Sequence, residues 1–194
     1  MASKGTKKQN HLVIISIIIL LVVSGVVFYC IKAYVEKQKN KSVVITNTIT
    51  MNYTSDYNGI IIPATATYSD EEGKKLNNVQ NIFDFVVSSK INNSTKTKYS
   101  LFLKKDDISS ISDDMIRVYL ESSDDENFSQ ATEELVPTKF KKNSSKPENG
   151  MLLKSVELSK NSKKYYRLRV WIDKSYVIEK PNDYFKATVN IIAN

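Results

Sequence analysis

The pattern of apolar and polar positions changes once along the chain, near residue 42. Residues 12–31 (LVIISIIILLVVSGVVFYCI) form an unbroken run of twenty uncharged, mainly apolar positions. A helix rises 1.5 Å per residue, so a run of this length just crosses a bilayer core of about 30 Å. Beyond residue 42, apolar residues alternate with polar ones, which is typical of half-buried strands. The pattern therefore predicts one membrane helix followed by a mainly β domain.

Eight segments of that domain show the alternation expected of strands. The clearest are YYRLRVWID (165–173) and YFKATVNIIA (184–193), in which nearly every second residue is apolar. Six others begin near residues 43, 60, 83, 99, 116 and 151. No strand–helix–strand rhythm separates them, which favours an antiparallel sandwich. Only DENFSQATEEL (125–135) is compatible with a short surface helix.

The apolar run has two alternative fates, a retained anchor or a cleaved signal peptide. A signal peptide has an apolar segment of about 7–15 residues and a cleavage site of small residues. This run is longer and ends in the bulky Phe28 and Tyr29, which suit a membrane interface. Cleavage beside Ser24 and Gly25 is the alternative, and we expect the anchor to be retained.

Lysines flank the apolar run on both sides, so the positive-inside rule does not choose its orientation. The preceding tail is short and the run is the first hydrophobic element, for which the usual outcome is an exported domain. We therefore predict a cytoplasmic tail at 1–11, a transmembrane helix at 12–31, a spacer at 32–42 and an extracytoplasmic domain at 43–194. The chain is then a cell-membrane protein that contacts the lipid bilayer from Leu12 to Ile31.

The formal charge of +7 is concentrated beside the apolar run. Seven of the 28 basic residues, but only one of the 21 acidic residues, lie at or before Lys41. The rest of the chain therefore has a net charge near +1, with no excess for a nucleic-acid partner, which needs a basic face. Lysines beside a membrane meet anionic head groups instead. The abundance of Asn, Lys, Ile and Ser indicates an AT-rich genome, most simply that of a Gram-positive bacterium.

Few residues of the domain suit catalysis. The only histidine, His11, and the only cysteine, Cys30, both precede it. The domain therefore contains no Ser–His or Cys–His pair, no zinc ligand set and no disulfide. Acidic clusters between residues 106 and 126 lack the spacing of a calcium-binding EF-hand, so we expect solvated turns, with weak calcium binding as the alternative. We predict no enzyme activity, no cofactor and no metal site.

Three segments carry a resemblance to a known group of proteins. They are PATATYSDEEGKKL (63–76), NIFDFVVSSKINNSTKTKYSLFLKKDD (81–107) and KKYYRLRVWID (163–173). In this order they resemble membrane-anchored or secreted immunoglobulin-like domains of Gram-positive bacteria, such as camelysin-like and biofilm-fibre proteins. The resemblance implies an immunoglobulin-like sandwich of about seven or eight strands at the cell surface, with a non-enzymatic role. It assigns no catalytic residue to this chain.

One face of the segment at 165–173 is the candidate contact surface. Arg167, Arg169 and Trp171 alternate with apolar residues there, and arginine and tryptophan are favoured at binding hot spots. The alternative is that Trp171 packs under the arginine stems. We therefore expect a binding or structural module of the cell envelope, whose partner is another protein or a second copy. The other possibilities are a polymerising surface-fibre subunit and an accessory subunit of a membrane secretion or conjugation complex.

Overall fold

The computed structural model describes residues 47–53, 55, 57–92, 96–142, 150–180 and 182–193, and within them the chain forms nine strands. The strands are β1 (Thr48–Tyr53), β2 (Gly59–Pro63), β3 (Ile82–Lys90), β4 (Thr97–Lys105), β5 (Ile116–Ser123), β6 (Thr132–Lys139), β7 (Gly150–Leu158), β8 (Ser162–Ile172) and β9 (Tyr184–Ala193). A four-residue helix, α1 (Asp70–Gly73), lies between β2 and β3.

The strands pair into two antiparallel sheets. One has five strands in the order β1-β3-β8-β5-β6, and the other has four in the order β2-β9-β4-β7. The predicted mainly β, antiparallel fold is thus confirmed. In the part of the chain that the structure describes, no helix is long and apolar enough to cross a bilayer. The predicted transmembrane segment at 12–31 lies outside that part.

The core lies between the sheets because alternate side chains of each strand point inward. On β8, Tyr166, Leu168, Val170 and Ile172 are buried, and on β9 the residues Phe185, Ala187 and Val189 are equally buried. Full burial of one large apolar side chain contributes about 1.5–3 kcal/mol, before the entropy of ordering is subtracted. Because successive side chains of a strand point to opposite faces, the remaining residues of β8 and β9 lie on the outer faces of their sheets.

A polar contact joins the two sheets where their edge strands β6 and β7 lie together. The Lys154 amine of β7 is 2.5 Å from the Glu134 carboxylate of β6, and the Ser122 hydroxyl donates to the same carboxylate at 2.6 Å. Burial raises the pKa of Glu134, but hydrogen bonds from Lys154 and Ser122 outweigh it, and the pKa lies below its ordinary value. Both edge strands therefore carry an inward-facing charge with a partner.

The segment 64–81 crosses the outer face of the five-stranded sheet and covers part of it. Ser69 begins α1 as a capping box, in which the Glu72 carboxylate accepts the Ser69 N–H at 2.9 Å. Gly73 ends the helix directly on the indole ring of Trp171, where an added Cβ would lie 2.2 Å from Cε2. Only glycine lets the helix approach so closely, and Trp171 is fully buried beneath it.

The short surface helix with which residues 125–135 are compatible does not form in the structure. The first part of the segment is a turn held by the Asp125 side chain, and β6 begins at Thr132. The pairing of β6 with β5 takes the place of helical hydrogen bonds, and Pro137 lacks the N–H that a helix interior needs. The described residues consequently form one strand more than the eight segments predicted.

Substituting Gly73→Ala tests the close packing on Trp171. Alanine is the better helix former, yet its Cβ would collide with the indole ring, so we expect a loss of about 1–3 kcal/mol in the free energy of unfolding. Urea denaturation measures the loss. Glu71→Ala, at an exposed position of the same helix, serves as the control and changes stability by less than about 0.5 kcal/mol. Equal stability of Gly73→Ala and the native chain would contradict the packing.

Candidate functional site

The three predicted contact residues lie on the outer face of β8, but the segment 64–81 covers two of them. Trp171 has no exposed surface, and Arg169 is 8% exposed. Arg169 donates to the Leu76 carbonyl at 2.8 Å and lies 2.5 Å from the Glu121 carboxylate. Arg167 lies beyond the covering segment, and its side chain keeps 26% of its surface exposed. A partner that docks on this face can therefore reach Arg167 but not Trp171.

Two residues, Asp84 and Phe128, restrict the side chain of Arg167. The facing residue on β3 is Asp84, and its two carboxylate oxygens accept from Arg167 Nε at 2.9 Å and from a terminal nitrogen at 2.8 Å. The ring of Phe128 lies over the guanidinium, 4.2 Å from its central carbon. The hydrogen bonds with Asp84 raise the pKa of Arg167, although burial opposes them. We call Asp84, Phe128 and Arg167 the Arg167 cluster.

Phe128 has an unusual backbone conformation. Its φ is +54°, and among the described residues other than glycine it alone has a positive φ. A bulky residue in the left-handed region costs on the order of 1–3 kcal/mol, and such outliers are concentrated at functional sites. The conformation brings the ring back over the sheet, where it contacts Arg167. Sequence patterning does not reveal such a residue, because the strain depends on the loop around it.

Asp125 organises the loop that holds Phe128. One carboxylate oxygen accepts the N–H groups of Asn127 at 2.9 Å and Ser129 at 3.3 Å. The other accepts the hydroxyl groups of Ser129 at 2.8 Å and Ser123 at 2.9 Å. These hydrogen bonds lower the pKa of Asp125 to about 2. One charged carboxylate thus sets the path of the chain on both sides of Phe128.

Two cavities open on the outer face, one on each side of the Arg167 cluster. The larger, of about 440 Å³, lies between the loop at 126–128 and strands β1, β3 and β8, and its lining includes Asn52, Phe128 and Tyr165. The smaller, of about 350 Å³, lies beside the covering segment, and its lining includes Val79 and Arg167. Asp84 lines both cavities, so the two lie side by side. We call the two cavities together the outer groove.

The outer groove offers hydrogen-bonding groups and aromatic rings. Asn52, Asn127 and Glu126 line the larger cavity together with the rings of Phe128 and Tyr165. Within the part of the chain that the structure describes, no group of three or more His, Cys, Asp or Glu residues is placed to hold a metal ion. The groove thus presents amide, carboxylate and aromatic groups side by side.

Comparison with known proteins adds no family to this description. No family model, no curated protein and no solved structure matches the chain. The immunoglobulin-like resemblance therefore stays a prediction, as do the membrane location and the Gram-positive source.

Asp125→Ala tests whether one carboxylate positions Phe128. We expect faster amide hydrogen exchange at residues 126–129 and loss of the contact between Phe128 and Arg167, seen by NMR as a lost nuclear Overhauser effect. In the native chain the lowered pKa keeps Asp125 charged down to about pH 2, so its contribution is complete above its unfolded pKa and is lost as the pH falls towards about 2. Asp124→Ala is the control, since Asp124 pairs with Lys164 outside the turn. Unchanged exchange in Asp125→Ala would refute the role of this carboxylate.

Proposed function

We propose that this chain is a non-enzymatic binding module of the cell envelope. A transmembrane helix at 12–31 anchors it, the immunoglobulin-like sandwich lies outside the membrane, and the outer groove contacts the partner. The observation that carries the proposal is Phe128, held at a positive φ over an arginine that is itself fixed by Asp84. Backbone strain of this kind is concentrated at functional sites.

The rigidity of the Arg167 cluster supports binding. Long side chains such as arginine lose rotational freedom when a partner fixes them, at a cost of about 0.5–1.5 kcal/mol each. Asp84 and Phe128 already restrict Arg167 in the free protein, so most of that cost does not recur on association. Arginine and aromatic residues also supply a large share of the binding free energy at hot spots. The cluster thus combines favourable residue types with a fixed geometry.

Three of the four described edge strands, β2, β6 and β7, do not favour the polymerising-fibre alternative. Among the described strands, β6 carries Pro137, which cannot donate a backbone hydrogen bond, and the short β2 ends at Pro63. On β6 and β7, the inward-facing Glu134 and Lys154 are bonded to each other. Prolines and inward charges on edge strands prevent edge-to-edge pairing. These three edges are therefore poor templates for a neighbouring copy.

Protease treatment of intact cells tests the predicted location. With an epitope tag before residue 1, we expect external protease to remove the domain and to leave the tag protected on a short membrane fragment. The same tag on lysed cells is digested, which controls for its accessibility. Recovery of the whole chain intact, or in the soluble fraction, would contradict the anchored topology.

A photo-crosslinking amino acid placed at Tyr165, in the lining of the outer groove, tests the contact face. We expect capture of a cellular partner from this position, and a decrease of more than about tenfold when Arg167→Ala is added, which corresponds to about 1.4 kcal/mol. Arg167→Lys should retain part of the capture, because lysine keeps the positive charge. The rest should be lost, because lysine cannot form the bidentate hydrogen bonds to Asp84.

The matched control places the same crosslinker at Lys98, an exposed residue of β4 in the other sheet. Capture from Lys98 that equals capture from Tyr165, or capture from Tyr165 that is insensitive to Arg167→Ala, would refute a contact through the outer groove. Circular dichroism of each variant establishes that the fold is kept.

A further inference from the structure

Charges around the outer groove are balanced. The carboxylate of Asp84 is bonded to Arg167, and Asp124, next to the groove, is 2.9 Å from the amine of Lys164. Glu126 lies within electrostatic range of Lys163, whose pKa is raised mainly by the Tyr165 hydroxyl and to a smaller extent by Glu126. Asp84 and Asp124 are thus each paired with a basic side chain. A strongly charged ligand would find no opposite excess in this groove, so the balance favours a neutral ligand.

Polar groups in the larger cavity are available to a ligand. The side-chain amides of Asn52 and Asn127 make no hydrogen bond to another described residue, and both residues are exposed. An amide donates and accepts, whereas a carboxylate such as Asp84 or Glu126 only accepts. Ligand hydroxyl groups match this mixture, because each hydroxyl can donate to a carboxylate and accept from an amide.

Aromatic rings line the same cavity. Phe128, whose ring packs against Arg167, and Tyr165, whose ring has the Lys163 amine 4.8 Å from its centroid, both contribute to the lining. Aromatic faces carry partial negative charge and attract C–H groups that are polarised by neighbouring oxygens. A sugar ring presents such C–H groups on one face and hydroxyls around its rim. A volume of about 440 Å³ lies within the range of small-molecule sites, about 300–1,000 Å³.

We propose that the outer groove binds a neutral carbohydrate. One sugar ring lies in the larger cavity against Phe128 and Tyr165, and its hydroxyls bond to Asn52, Asn127 and the free acceptor positions of Asp84. The chain of sugars continues past Asp84 towards the smaller cavity, since Asp84 lines both. This inference rests on the proposed function, in which the same face makes the contact, and it names the class of ligand.

An array of neutral oligosaccharides, including chito- and cello-oligosaccharides, tests the inference with the full-length protein. The protein is kept in a detergent without a sugar head group, because such head groups would compete. We expect saturable binding of at least one neutral oligosaccharide. Titration calorimetry measures its affinity. Added salt should leave the affinity unchanged, because no charge on the ligand is screened.

Three variants link the binding to the groove. Asn52→Ala, Asn127→Ala and Phe128→Leu should each weaken binding about tenfold or more, the last because it replaces the aromatic face by a branched aliphatic side chain. Asn182→Ala is the matched control, since Asn182 is exposed in the turn before β9, and it should bind like the native chain. Asn52 lies on β1, outside the strained loop, so its result does not depend on the fold of that loop.

Three outcomes would overturn the inference. One is binding that these variants leave unchanged. A second is preference for a lysine-rich peptide over every oligosaccharide, with affinity that falls on adding salt. The third is no binding on the array by a protein whose Tyr165 position captures a protein partner in cells, and in that case the proposed function stands. If the protein binds no oligosaccharide on the array and Tyr165 also captures no partner in cells, the proposed function is refuted as well.

Discussion

The packing of Trp171 on Gly73 is the contact on which the outer face of the five-stranded sheet depends. It holds the segment 64–81 on the sheet, and Arg169 is bonded to the Leu76 carbonyl of the same segment. Without this cover, Trp171 and Arg169 would form an open stripe with Arg167. With it, the face is closed around Trp171 and accessible at Arg167, so one tertiary contact determines which part of the face can meet a partner.

The accessible part of the face is bordered by a second connection, the loop between β5 and β6. Hydrogen bonds to Asp125 shape this loop, and the loop holds Phe128 over Arg167 in a conformation that costs free energy. The outer groove therefore lies between two connections that are each fixed by a specific interaction. Fixed borders of this kind lower the ordering cost of binding, which is the physical basis of the proposed contact site.

Period-two alternation was sufficient to predict the strands of the core. Leu168 and Val170 on β8, and Phe185 and Val189 on β9, are buried as their spacing indicated. The same alternation correctly placed Trp171 on the outer face but could not indicate its cover, because that depends on a segment about a hundred residues earlier. A signal for α1 was present, since Ser69 and Glu72 have the spacing of a capping box.

Local interactions also explain why residues 125–135 do not form the short helix with which their sequence is compatible. The acidic and polar residues there are compatible with a helix, but the Asp125 side chain bonds to the backbone ahead of it and stabilises a turn instead.

Hydrogen exchange of the Trp171 indole N–H is the most direct test of the packing of the segment 64–81 on Trp171, because this is the only tryptophan in the chain. The indole N–H has no hydrogen-bond partner among the described residues, so burial alone must protect it. We expect exchange that occurs only on unfolding or on release of the segment 64–81, whereas exchange as fast as that of a free indole would contradict the packing of this segment on Trp171.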